Sequence, residues 1–225
     1  MAFPTVSTII DDFSDGDNVN INANWTEGFP VNSGTTWAVV SGVIAQTGAA
    51  QSVASAYWNA GTFGPDIDIF INLVNVPKDN GDRAGLVGSI WNIGSSTTDG
   101  YGVHIRKDNI NVYHLRIQRI ENDTTTDIGT STLTDARAGD KIGIEIRWSG
   151  NRATIKVYEF VSAAWVEVHS FEDATDPFTA TAGAPGVNNG EVPTDVTDPQ
   201  FDDLAGGTAV GAPAGFAHSQ AVIIG

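Results

Sequence analysis

Asp66 and Asp68 stand two residues apart in the stretch GPDIDIFINLV at 64–74. Paired carboxylates suit acid–base work on a glycosidic bond, where retaining hydrolysis needs two carboxyl groups about 5–5.5 Å apart. Ile67, Ile69, Ile71 and Leu73 alternate with Asp66, Asp68, Phe70 and Asn72, the period of a half-buried strand. Alternate residues of a strand lie about 6.6–6.8 Å apart. Phe70 and Ile71, further along the same run, cannot transfer a proton. The pair is therefore expected on the wet side of its strand, without a hydrolytic role.

Other catalytic patterns are missing. There is no Cys to act as a thiol nucleophile, no Gly-x-Ser-x-Gly elbow, and no HExxH among the four histidines at 104, 114, 169 and 218. Binding chemistry is better represented. In YGVHIRK, alternation turns Tyr101, Val103 and Ile105 to one face and His104 and Arg106 to the other. In VYHLRIQR it turns Tyr113, Leu115 and Ile117 inward and His114, Arg116 and Gln118 outward, and IEIRW adds Glu145 and Arg147. A polar, basic surface on neighbouring strands is the expectation, suited to an acidic glycan or an acidic partner. Sugar recognition also asks for flat aromatic rings. Trp58, Trp91 and Trp165 fall near strand ends or turns and are the candidates, whereas Trp37 and Trp148 read as core.

The elements that position these residues are strands. About a dozen short alternating runs are separated by Gly, Asn, Asp, Ser and Thr, and no helical stripe is present. The SGNR tetrapeptide at 149–152 marks a tight hairpin between KIGIEIRW and ATIKVYEF. Such a pattern gives an all-β, two-sheet antiparallel sandwich with extended terminal arms. With 225 residues, 41% hydrophobic, one domain of this class can bury a full core. The expected division is an arm at 1–7, a sandwich at 8–206 and a docking arm at 207–225.

The formal charge is −16, and all eleven Lys and Arg fall between Lys78 and Lys156. Acidic flanks repel phosphate backbones, which argues against nucleic acid. No run approaches the ~18–20 apolar residues of a membrane helix. The start, MAFPTVSTIIDDFSDGD, has no basic n-region and no long apolar stretch, so no secretory signal is read there.

IIDDFSD, TWAVVSGVIAQ, GYGVHIRKDNINVYHLRI, GDKIGIEIRWSGNRATIKVYEF and FDDLAGG, in that order, resemble the concanavalin A-like lectin/glucanase superfamily, in particular its laminin-G-like jelly rolls in bacterial surface and phage proteins. The resemblance covers roughly residues 8–206. It implies that the first and last strands lie side by side, bringing Asp11, Asp12, Asp202 and Asp203 together as candidate ligands of a structural Ca2+. The endoglucanases of the superfamily carry three acids on one strand face. Only the first two have counterparts here.

The resulting expectation is a non-catalytic virion structural protein, a capsid decoration (cement) or tail-associated module. It would be made in the host cytoplasm and touch host surface polysaccharide. Phe216, Val222, Ile223 and Ile224 would dock on other virion proteins or on a second copy, with a homotrimer as the expected assembly. The alternatives are a secreted glycanase or lyase, using the HIR and HLR face, and a free extracellular carbohydrate-binding module.

Overall fold

The computed structural model describes residues 2–14, 21–27, 37–46, 54–77, 81–94, 96–109, 112–133, 139–174, 178–190 and 200–210. In chain order the strands are β1 (Ile9–Asp11), β2 (Trp25–Glu27), β3 (Trp37–Val40), β4 (Val43–Gln46), β5 (Ala54–Trp58), β6 (Ile67–Asn75), β7 (Arg83–Trp91) and β8 (Asp99–Asn109). They continue as β9 (Val112–Glu121), β10 (Thr124–Leu133), β11 (Lys141–Ser149), β12 (Arg152–Val161), β13 (Ala164–Asp173), β14 (Ala184–Gly190) and β15 (Gln200–Thr208). There is no helix among the described residues.

Two antiparallel sheets face each other. The first runs β13-β12-β11-β6-β15-β4-β3, with β1 added on β15; the second runs β10-β9-β8-β7-β14-β5-β2. The alternating residues meet between them as expected: Ile67, Ile69, Ile71 and Leu73 of β6 are fully buried, as are Tyr101, Val103, Leu115, Ile117, Ile144 and Ile155. Burying one such side chain contributes roughly 1.5–3 kcal/mol, which is what selects the register.

Turn chemistry explains the hairpins. Ser149 pairs Arg152 across Gly150, whose φ is +63°, so a residue without Cβ sits where the chain needs the left-handed region. Between β9 and β10, Asn122 and Asp123 both have positive φ, as a primed two-residue turn requires. β2 and β10 carry little strand signal in the sequence. TTTDIGTSTL carries almost no apolar alternation and forms an edge strand held by its ladder to β9.

The resemblance also implied adjacent chain ends, and β1 does pair β15, with Ile9 opposite Ala205 and Asp11 opposite Leu204. β4 pairs the beginning of the same β15 edge at Gln200 and Phe201. Asp202 and Asp203 fall between these pairings at a bulge, and Asp203 has φ of +50°.

Candidate functional site

Asp11 organises the neighbourhood of β1. Its Oδ1 accepts from the Phe13 N–H (2.8 Å) and its Oδ2 from the Trp25 indole N–H (2.7 Å) and the Asn22 amide (3.3 Å). Asn22 in turn accepts from the Asn24 N–H at 2.9 Å, a local Asx turn that delivers the chain into β2. In β2, Trp25 stands opposite Trp58 of β5, and their rings meet edge to face at 5.8 Å. Trp25 is buried; Trp58 is half-buried and presents its free side to a groove.

The groove has two lobes that share Ile9, Ile10 and Trp58. One, of about 330 Å³, is polar, lined by Asp11, Asp12, Asn22 and Asn24. The other, of about 450 Å³, is mainly apolar, lined by Val6, Phe63, Gly206 and Gly207 with Thr8 and Thr208. An indole ring between amides, two carboxylates and apolar side chains has the chemistry that sugar binding asks for: C–H faces can stack on such a ring and hydroxyls can meet planar polar groups. Asp12 stays ionised easily, because hydrogen bonds from the Ser14 side chain and N–H hold its carboxyl below the ordinary value. The sequence reading found Trp58, Asp11 and Asp12 as members of two separate sites and missed Asn22 and Asn24. The only signal for the amides was the Asn-rich NINANW at 20–25.

The four aspartates expected to hold Ca2+ do not form a set of metal ligands, although Asp12, Asp202 and Asp203 feel one another's charge. Asp11 is engaged by Trp25, Asn22 and Phe13, Asp203 accepts from the Asn72 amide at 3.0 Å, and Asp202 accepts from the Asp203 N–H at 2.8 Å. Burial foremost, then Asp203 and Asp12, pushes the Asp202 carboxyl above its ordinary value. Among the described residues no group of three His, Cys, Asp or Glu side chains is placed to hold a metal ion.

The expected basic surface is split and self-neutralised. His104, Arg106, His114 and Arg116 do share the outer face of the second sheet, in paired positions of β8 and β9. Two acids there were not counted. Asp108 meets Arg106 (2.8 Å), Arg116 (3.1 Å) and His114 (3.5 Å), and Asp127 on β10 meets Arg116 at 2.6 Å and the Gln118 amide at 3.0 Å. Hydrogen bonds to Asp127 raise the Arg116 guanidinium against the effect of its burial. On that same face His104 is nevertheless covered, being 1% exposed. Asn188 folds over Gly85, opposite His104 in the ladder, and Gln118 lies on its other side. Burial foremost drives its imidazole down to about 4, so it is neutral at pH 7.

Arg147 lies on the other sheet, because β11 pairs β6 and β12 and not β8. There it meets Asp68 at 2.6 Å and Glu145 at 3.4 Å. Asp68 is fully buried, in contrast to the wet face expected for it, because Thr5 covers it and donates both its N–H and its hydroxyl at 2.6 Å. Glu145 stands directly across the ladder from Asp68, an acid on a neighbouring strand that alternation alone does not reveal. Three donors on Asp68 and an arginine between the acids leave this pair shaped for structure. Asp66 accepts from the Trp148 N–H at 2.8 Å.

Of the other tryptophans, Trp91 is core, 7% exposed among Tyr101, Trp148 and Phe178. Trp165 packs against Phe3, Phe70 and Phe160 on the outer face of the first sheet. Phe216, Val222, Ile223 and Ile224 lie outside the described residues.

The fold has counterparts among solved structures. The exoplasmic/lumenal domain of VIP36 in its Ca2+/Man-bound form matches with 10% identity over 95% of this chain and 94% of that one, TM-score 0.59. The carbohydrate-binding module CBM66 from Bacillus subtilis matches with 17% identity over 85% and 98%, TM-score 0.52. The CBM2 module of the evolved Dit of Lactobacillus casei BL23 phage J-1 matches with 13% identity over 89% and 95%, TM-score 0.54. The fold is lectin-like. At these identities the likeness is one of fold. No protein-family model and no curated protein sequence matches the chain.

Proposed function

We propose that this chain is a non-catalytic carbohydrate-binding module of a virion, and that its glycan lies in the groove across Trp58. The observation that carries the reading is the half-buried indole between the amide–carboxylate lobe and the apolar lobe. Trp25 behind it and the three hydrogen bonds on Asp11 hold that ring and its polar neighbours in place before any ligand arrives, which limits the ordering cost of binding. A neutral glycan fits better than an acidic one, since the groove is acidic and the arginines of the second sheet are already paired. The virion setting is supported by the likeness to a module of a phage Dit and by the acidic, cysteine-free composition. In that setting the residues beyond β15, with Phe216, Val222, Ile223 and Ile224, would fasten the module to the particle.

The experiment is a glycan array followed by calorimetry on the best ligand, with wild type and Trp58→Ala compared. Loss of stacking should weaken binding at least about tenfold, or 1.4 kcal/mol, while circular dichroism shows the variant still folded. Undiminished binding by the variant would remove the groove from the account. New reducing ends in a polysaccharide digest would remove the non-catalytic assignment, and absence of the chain from purified particles would remove the virion.

A further inference from the structure

The outer face of the first sheet contains a socket that residues 2–5 fill. Ala205, Phe70, Gly143 and Tyr158 stand side by side in one row across β15, β6, β11 and β12. The missing side chain of Gly143 leaves a hollow, and the Phe3 ring occupies it. A methyl group on Gly143 would collide with that ring. Phe3 lies flat on Tyr158 at 4.1 Å with 2° between the planes, and meets Trp165 edge to face at 5.0 Å. In the adjacent row, Asp68 takes the N–H and hydroxyl of Thr5. The socket therefore reads two features at a fixed spacing: an aromatic ring and, two residues on, a backbone N–H with a hydroxyl.

None of these contacts is part of a sheet ladder. The segment can leave without breaking the pairing of either sheet, and a second copy of the same sequence would make the same contacts. Residues 6–8, which join it to β1, span at most about 10 Å. Beside that connection two apolar side chains stand uncovered, Ile9 at 51% exposure and Val210 at 67%. A crossing of two chains here would cover Val210, whose N–H donates to the Thr5 hydroxyl, while Ile9 stays on the wall of the groove.

We propose that the socket is a peptide receptor, and that two copies of the chain trade residues 2–5 so that each Phe3 seats beside the Tyr158 of the other. A reciprocal trade closes on itself as a two-fold pair and forfeits no contact. It competes with the segment's return to its own socket, so pairing rises with protein concentration.

Complementation between full-length variants tests this. Phe3→Ala has a socket and no plug; Gly143→Leu has a plug and no socket. Mixed, they should give a 1:1 heterodimer in native mass spectrometry, while each alone stays monomeric. A peptide of sequence AFPTVSTI should bind Phe3→Ala at least about tenfold more tightly than wild type, and its Phe-to-Ala version should not bind. If circular dichroism shows either variant unfolded, the wild-type protein decides: a concentration-dependent dimer that excess peptide dissolves supports the trade. Folded variants that fail to pair, a wild type without a dimer, or a dimer indifferent to the peptide would overturn it. A glycan that fills the Phe3→Ala socket while the peptide does not would overturn it equally.

Discussion

Acidification should destabilise the fold through one residue, His104. Its imidazole is 1% exposed, and burial, more than any neighbour, lowers it from 6.5 to about 4. Arg83 and Arg116 push in the same direction, while Gln118 and Asp127 oppose. In the unfolded chain it titrates near its ordinary value, so between pH 6.5 and about 4 the unfolded state binds a proton that the folded state refuses. The stability is complete above pH 6.5 and is lost as pH falls through that window, at up to about 1.4 kcal/mol per pH unit. That gap corresponds to about 3 kcal/mol at most, most of which should be gone between pH 7.5 and 4.5. The assay is urea unfolding followed by tryptophan fluorescence at pH 7.5, 6.5, 5.5 and 4.5, for wild type and His104→Gln. The variant keeps an amide in place of the ring and cannot titrate, so the difference between the two proteins isolates this one group. Asp127 acts elsewhere on the scale. Burial would raise its carboxyl, but hydrogen bonds from Arg116 and Gln118 lower it on balance, and its contribution is lost only below about pH 3.8. The raised Asp202 is common to both proteins and cancels. Parallel pH profiles for wild type and variant would refute the reasoning.

Arg147→Met should lower unfolding stability by about 3 kcal/mol, since it leaves Asp68 buried with only Thr5 to neutralise its demand. Adding Asp68→Asn should restore part of that loss, and a denaturant double-mutant cycle measures the coupling. Gly206→Ala should cost at least about 2 kcal/mol, because φ is +130° and the new methyl would strike the Asp68 carbonyl. Gly150→Ala, at φ +63° in open space, should cost only about 1 kcal/mol, so the melting temperatures of the two variants should separate clearly.

Period-two alternation and turn residues sufficed for the class of fold. Ile67, Ile69, Ile71 and Leu73 can hide together only in a strand, and glycine at 150 suits a turn at positive φ. Which face of a strand is wet was not legible in the same way. Alternation sorts side chains into two sets but says nothing of what covers the second set. Asp68 is dry because Thr5 crosses over it, and His104 is dry because Asn188 and Gln118 close around it. Strand order was equally hidden. Arg147 and Arg116 read as one surface until the pairing of β11 with β6 put them on opposite sheets.

From its sequence alone the chain is committed to a sandwich of two sheets with its charge concentrated as it is, because hydrophobic period and turn chemistry are properties of short segments. The groove at Trp58, the socket around Phe3 and the neutral His104 come from residues tens to more than a hundred positions apart. Their proximity follows from sheet order and register, which depend on how the whole core closes, and only the tertiary structure decides that.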